Sequence, residues 1–230
     1  MPKTDEAAAS ADVGRGVSGK ALEKPTISDD VNRSFAPKSS PKRVWLTFDD
    51  GPHPTHTDTV LKVLAKHSIT ATFFVVGKNV KSYPSYVKKA FDAGHRIANH
   101  SYNHPHLNTL GKDAVKKEIE DTHALIKDYL ADDWMFRPPY GEHNATVDSV
   151  VSDLGYRTVL WSVDTKDYAA DHQPDGWVDE GLSGIKKLSN SKVLMHDIHQ
   201  TTAANLDVFI TRIKALGNVT FDDSSPILVA

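Results

Sequence analysis

The chain has 230 residues, with 27 Lys and Arg against 30 Asp and Glu, and no cysteine. Near-balanced charge gives no electrostatic reason to expect nucleic acid as a partner, no apolar run approaches the roughly 18 residues of a membrane-spanning helix, and disulfides and thiolate metal sites are excluded. The length suits one well-buried domain, and α/β barrels reach this size as a single unit.

Residues 1–40 are rich in Ala, Ser, Lys, Asp and Pro and contain no hydrophobic signal-peptide core. They read as a tail or linker ahead of a folded region at 41–230, with any export signal already removed. An ordered arm around Pro25-Thr26-Ile27-Ser28 is the competing reading. The first strand runs from Val44 to Phe48 and ends in Asp49-Asp50-Gly51-Pro52. Two adjacent carboxylates are cheap in water and costly in a cleft unless something positive compensates them. Successive strand side chains face opposite ways, so both reach one site only where the strand is already turning, as Gly51-Pro52 provides. One carboxylate would then ligate a metal while its neighbour activates water. Alone, the turn fits a solvated bend at least as well.

Thr57 to His67 follows with Val60, Leu61 and Leu64 on one helical face. Ala71 to Gly77 reads as a buried strand, Ser82 to Ala93 as a helix stopped by Gly94, and Arg96 to His100 as a short strand. His100 and His104 then lie four apart, a spacing that turns both imidazoles to one point if the residues between make a helical turn. Two histidines and a carboxylate leave open positions on a divalent ion, the catalytic pattern of zinc coordination. Standing alone, the His pair fits solvated loop histidines better than ligands.

Asp113 to Leu130 is the longest helix, with Val115, Ile119, Thr122, Leu125, Ile126 and Tyr129 as its inward stripe. Met135 to Arg137 is a strand cut by Pro138-Pro139, and Ala145 to Leu154 a helix closed by Gly155. Arg157 to Val163 reads as a strand, Asp175 to Leu188 as a helix with two glycines, Lys192 to His196 as a strand and Thr202 to Leu216 as a helix. Val219 to Phe221 or Ile227 to Val229 supplies the last strand. Strict alternation implies a parallel sheet. Asp49-Asp50, His100, Arg137, Asp164 and His196 each close a different strand, which converge at one mouth in a barrel but string out along an open sheet. The expectation is an α/β fold, a distorted (β/α) barrel of about seven strand-helix units. Arg137 and His196 have ordinary readings as a surface ion-pair residue and a packing histidine. They also suit pinning a carboxylate and delivering a proton.

Taken together, Thr47-Phe48-Asp49-Asp50-Gly51, His100-Ser101-Tyr102-Asn103-His104, Arg137-Pro138-Pro139-Tyr140-Gly141, Asp164-Thr165-Lys166-Asp167-Tyr168 and Leu194-Met195-His196 resemble the five ordered motifs of the NodB-like polysaccharide deacetylases, carbohydrate esterase family four. The resemblance spans nearly the whole globular part. It implies metal-dependent removal of acetyl groups from amino sugars. Asp50, His100 and His104 would hold one divalent ion, usually Zn²⁺, with Asp49 as general base and His196 as the acid that protonates the leaving amine. Arg137 would orient Asp49, and the backbone N–H of Tyr140 would help hold the oxyanion. Asp167 would tune His196, with Asp164 as second choice, and Leu194 and Tyr168 would wall the acetyl pocket. Tyr168 departs from the usual Trp, so its hydroxyl needs a partner or water.

The implied substrate is N-acetylglucosamine in chitin or chitooligosaccharides, with peptidoglycan second. An acetylxylan esterase is the alternative within enzymes, and an inactive glycan-binding barrel the alternative outside them, the latter disfavoured because Asp49 and His196 are both present. The absence of long insertions between the motifs suggests an open groove. Tyr102, Trp134, Tyr140 and Trp177 are candidates for stacking on sugar rings, with packing as the competing use. A secreted or cell-surface monomer is expected.

Overall fold

A computed structural model describes residues 40–222. Among the described residues eight parallel strands carry the fold: β1 (Lys42–Asp49), β2 (Thr72–Val75), β3 (Arg96–Asn99), β4 (Met135–Phe136), β5 (Arg157–Thr158), β6 (Val163–Asp164), β7 (Asn190–His196) and β8 (Val219–Phe221). They pair in the order β5-β4-β3-β2-β1-β7-β6, and β8 pairs with the start of β1 at Lys42 to Val44. The sheet is a curled, incompletely closed (β/α) barrel, with β5 and β6 at its two edges. Its helices are α1 (His56–His67), α2 (Gly77–Ser82), α3 (Pro84–Asp92), α4 (Lys112–Ile126), α5 (Ala145–Asp153), α6 (Gly176–Lys187) and α7 (Gln200–Lys214). Among the described residues no helix is long and apolar enough to cross a membrane.

β1 is the axis. It lies between β2 and β7, and its last six residues are buried, as expected of a strand covered on both faces. The two-residue side-chain period divides its duties. Leu46 and Phe48 join the large cluster packed against α1, α6 and α7, together with Val193 and Met195 of β7. Trp45 joins Phe74, Ala98, Met135 and Val159 in a second, separate cluster. Thr47 and Asp49 follow Trp45 on the same face and rise from that layer toward the mouth. The register aligns Asp49 with His196 across β1 and β7. Base-like and acid-like side chains are thus neighbours by strand pairing.

The two glycines of α6 mark close packing. A Cβ at Gly181 would lie 2.8 Å from Phe209, and one at Gly184 would lie 2.6 Å from Val163. Only a bare backbone lets this helix approach α7 and β6 so closely.

Several expected elements take a different form. Gly77 opens α2 rather than closing a strand, and Tyr83-Pro84 divides the expected Ser82 to Ala93 helix from it. The expected Arg157 to Val163 strand is two short strands, β5 and β6, with residues 159–162 bridging the two edges of the sheet. α4 ends at Ile126 and continues as a short 3-10 turn, Lys127–Tyr129. Leu125 of its expected inward stripe is exposed, whereas Val115, Ile119, Thr122 and Ile126 are buried. Helical period places Leu125 beside the stripe rather than in it. The last strand is Val219–Phe221; residues 227–229 and the arm at 25–28 lie outside the described residues.

Phe209 meets Trp177 edge-on at 5.1 Å in the core under α6 and α7. Phe209→Ala is expected to cost about 3–5 kcal/mol, measured as a lowered urea midpoint with an unchanged slope.

Candidate active site

The mouth of the barrel holds a cavity of about 390 Å³ lined by Asp49, Asp50, His100, His104, Tyr140, Trp161, Asp164, Tyr168, Leu194, His196 and His199. Of the residues given catalytic, metal-binding or acetyl-pocket roles by the sequence, all except Arg137 and Asp167 line it, and those two stand directly behind it.

Arg137 is completely buried. Its Nη1 donates to Asp49 Oδ1 at 2.7 Å and to Thr47 Oγ1 at 2.9 Å, and its Nε donates to the Val159 carbonyl at 3.0 Å. The guanidinium lies 4.0 Å from the Phe74 ring centroid, on the layer that floors the barrel. Burial pushes its pKa down, opposed by the Asp49 charge and hydrogen bond. The surface-residue reading of Arg137 does not hold. Since Oδ1 of Asp49 is engaged by arginine, Oδ2 is the atom that looks toward His100, 3.6 Å from its Nε2.

Asp50 sits beyond the end of β1 with φ 73°, in the left-handed region. This reversal brings two consecutive carboxylates to one site, which an extended strand cannot do. Asp50 Oδ1 lies 3.5 Å from His100 Nε2 and 3.2 Å from His104 Nε2. Candidate ligand atoms of Asp50, His100 and His104 lie within 4.8 Å of one another. Burial raises the Asp50 pKa, but the imidazoles of His100, His196 and His104 around it outweigh that and hold the carboxyl far below its usual range. Burial and His100 lower the His104 pKa, which favours the neutral, ligating imidazole. His100 Nδ1 donates to the Arg137 carbonyl at 2.6 Å, leaving Nε2 with its lone pair toward Asp50.

The His100/His104 spacing works without the expected helical turn. Ser101 and His104 both adopt positive φ, 63° and 62°, and the loop bends the two rings to 4.9 Å at 66°. The loop is braced from α4. Glu118 accepts from Tyr102 N at 2.9 Å and from Asn103 N at 2.7 Å, while the Asn99 side chain accepts from Ser101 N at 3.0 Å.

Across the cavity, His196 Nδ1 donates to Asp167 Oδ1 at 2.7 Å. Asp167 is fully buried, and its Oδ2 accepts from His196 N at 2.8 Å and Thr202 Oγ1 at 2.6 Å. Burial lowers the His196 pKa, but Asp167 and the charges of Asp50 and Asp49 outweigh it and raise it to about 9. His196 is therefore cationic at neutral pH, with Nε2 available as a proton donor. Asp164, the second choice for this role, is used elsewhere: it accepts from Lys166 N at 2.8 Å and from the Tyr168 hydroxyl at 3.1 Å. That second bond is the partner the Trp-to-Tyr departure required. Tyr168 stands half-exposed, edge-on to His196 at 5.5 Å, and Leu194 is buried beside it.

The stacking candidates separate clearly. Trp177 is fully buried against Phe209, and Trp134 packs on His123 and Tyr156 away from the mouth. Tyr140 is exposed at the rim, stacked on His106 at 4.1 Å.

Asp197, Trp161 and His199 were not singled out from the sequence. Asp197 is buried under the Asp-Gly-Pro turn, where a Cβ at Gly51 would lie 2.3 Å from its Oδ1. Thr57 donates to its other oxygen and accepts from His53 N at 2.7 Å, so this carboxyl ties the end of β7 to the turn after β1. Burial raises its pKa to about 7. A loop Asp after a strand carries no sequence signal that separates this role from a solvated one.

Residues 36–159 match the family model described as polysaccharide deacetylase. The chain is 36% identical over 214 residues to the peptidoglycan-N-acetylglucosamine deacetylase of Listeria monocytogenes, covering 86% of this chain and 44% of that one. It thus spans less than half the length of that relative. It is 35% identical to the chitooligosaccharide deacetylase of Azorhizobium caulinodans, covering 67% of this chain and 73% of that one. A crystal structure of a CE4 family pseudoenzyme from Bacillus anthracis superposes with a TM-score of 0.72 at 30% identity, covering 80% of this chain and 64% of that one.

The Asp167–His196 pair makes a pH prediction. His196 has its pKa raised on folding, so its stabilising contribution is complete below about pH 6.5 and is lost as pH rises through about 9. In metal-free protein, NMR should show Asp167→Asn lowering the His196 titration midpoint and flattening stability over that interval.

Proposed function

The chain belongs to the polysaccharide deacetylase family, and from that premise we propose that it hydrolyses N-acetyl groups on amino-sugar units of a polysaccharide or oligosaccharide. The observation that carries this reading is the placement of two differently supported proton carriers, Asp49 and His196, around one Asp-His-His donor cluster. A divalent ion fits the cluster. Asp50 Oδ1 is buried with no hydrogen-bond partner, and the tautomer of His100 is fixed with Nε2 toward it. Asp50, His100 and His104 would hold the ion, with Zn²⁺ our choice from the two-nitrogen, one-oxygen donor set. When bound, it supplies Lewis-acid polarisation of the acetyl carbonyl and makes water more acidic.

The chain's own residues do the rest. Arg137 fixes Asp49 so that Oδ2 takes a proton from the water whose oxygen attacks the acetyl carbon. The backbone N–H of Tyr140 supports the oxyanion that forms. The C–N bond then breaks as the proton on His196 Nε2 passes to nitrogen, which leaves as a neutral amine; acetic acid is the other product, and the proton held by Asp49 returns to His196 before the next turnover. Asp167 holds His196 cationic and oriented for that transfer. Leu194 and the Tyr168 ring wall the side where the acetyl methyl sits. Amide hydrolysis depends on this proton delivery more than ester hydrolysis does, because an amide anion is a very poor leaving group. The raised pKa of His196 therefore favours the amide over the acetylxylan ester.

The two similar relatives are named for different polymers that share N-acetylglucosamine, and we take that unit as the substrate. Chitooligosaccharide remains the first choice and peptidoglycan the second. One structural neighbour is a pseudoenzyme. Here Asp49, Asp50, His100, His104 and His196 are all present at one cavity, which favours an active protein. Action outside the cell, as a monomer with its catalytic domain at 41–230, completes the proposal.

Mass spectrometry of a chitin tetramer, peptidoglycan fragments and acetylxylan treated with metal-loaded protein tests the reading. Loss of acetyl groups from an amino-sugar substrate, abolished by chelator and restored by Zn²⁺, is expected. No acetate from any of the three would leave the glycan-binding alternative, and insensitivity to chelator would remove the metal. Asp49→Asn and His196→Ala should each lower kcat on the oligomer by about a hundredfold or more.

A further inference from the structure

Four histidines line the cavity, and three have assigned work. The fourth, His199, is held in place without using its ring. It precedes α7 at the N-cap position, yet its side chain makes no capping hydrogen bond. Side-chain capping there is the province of Ser, Thr, Asp and Asn, so a cap does not explain a histidine. Its backbone carbonyl accepts from Ala203 N at 3.1 Å, and the preceding Ile198 carbonyl is bound by His56 Nδ1 at 2.8 Å. His56 is in turn stacked on His53 at 4.1 Å. The loop that carries His199 is therefore braced from the start of α1.

The ring itself is half-buried and stands 5.5 Å from His196, and among the described residues neither of its nitrogens has a hydrogen-bond partner. Burial lowers its pKa, with the charge of Asp167 opposing and those of His196 and His56 reinforcing the shift. A neutral imidazole offers one donor and one acceptor. A half-buried polar ring with both left unused, facing a cavity, suits a ligand that brings hydroxyl groups.

We propose that His199 is a substrate-binding residue that hydrogen-bonds a hydroxyl of the sugar bearing the leaving amine. The side of the cavity follows from its neighbour. His196 delivers its proton to the amine nitrogen, and His199 follows it by three residues at the same strand end, so it meets the sugar rather than the acetyl methyl, which Leu194 and Tyr168 enclose. This assignment rests on the deacetylase reading and adds a contact that discriminates a sugar-borne amide from an amide without hydroxyls.

The test uses metal-loaded full-length protein with His199→Ala, His199→Asn and His199→Gln. On an N-acetylglucosamine tetramer, His199→Ala should raise KM about three- to tenfold, the range of one neutral hydrogen bond, with kcat changed far less. One of the two amide variants, whichever places its group at the working nitrogen, should recover most of that loss. Acetanilide, an amide without hydroxyls, should show a much smaller change in kcat/KM. Calorimetry with the product, glucosamine tetramer, should show the same three- to tenfold weakening. Equal losses on both amides would mean that His199 acts through His196, and unchanged tetramer affinity would mean that it touches no sugar; either result overturns the assignment. Wild-type protein that binds the tetramer but releases no acetate would sink the deacetylase reading alone, since the calorimetric comparison still decides whether His199 meets the sugar.

Discussion

The buried pair of Arg137 and Asp49 is the constraint around which the barrel is built. A guanidinium with no solvent exposure is costly unless its charge and donors are met. Asp49 meets the charge, Thr47 and the Val159 carbonyl take further hydrogen bonds from Nη1 and Nε, the face of Phe74 lies beneath it, and Nη2 alone of its nitrogens is left without a hydrogen-bond partner among the described residues. These partners come from β1, from β2 and from the segment after β5, so the pair ties the centre of the sheet to one edge. Removing the arginine would leave a buried, unpaired carboxylate, a change of about 3–5 kcal/mol in comparable sites. The same bonds that stabilise the interior decide which oxygen of Asp49 faces the cavity.

Two carboxylate-to-cation pairs, Arg137–Asp49 and Asp167–His196, stand at the cavity, and in the proposed reaction they do opposite work. Arginine does not release its proton in proteins, so Arg137 is a fixed charge, and the proposal leaves Asp49 to accept. Histidine does release one, so in the same proposal the proton that Asp167 holds on His196 is the one given away. The interaction type is the same in both. The partner's ability to titrate separates acceptor from donor.

Left-handed backbone is concentrated at this site. Among the described residues, seven non-glycine positions have positive φ, and five of them, Asp50, Ser101, His104, Tyr140 and Lys166, fall in the motifs that form the mouth. Such conformations cost free energy and persist where the surroundings enforce them. Here they aim side chains: Asp50 joins Asp49, and His104 returns to His100. Side-chain braces hold two of the turns, half-buried Glu118 and buried Asn99 behind the histidine loop and buried Asp197 beneath Gly51.

The strand-helix alternation, the barrel and the residue types at the strand ends were legible in the sequence because period and punctuation are local properties. Trp45, Thr47 and Asp49 on one face of β1, and Leu46 and Phe48 on the other, follow from a two-residue repeat. The five motifs supplied the metal-ligand set and the acid and base as expectations. Contacts between distant segments were beyond local pattern. The resemblance placed Asp167 ahead of Asp164 beside His196, and the tertiary structure supplies the reason: the turn at Lys166 engages Asp164 with the Lys166 backbone N–H. Trp177 is core because the glycines of α6 bring it against α7. The histidine pair needed two left-handed residues, not a helical turn. His199 and Asp197 emerged only in three dimensions, since what matters about each is which groups surround it, and those are set by the packing of β7 and α7 against the turn after β1.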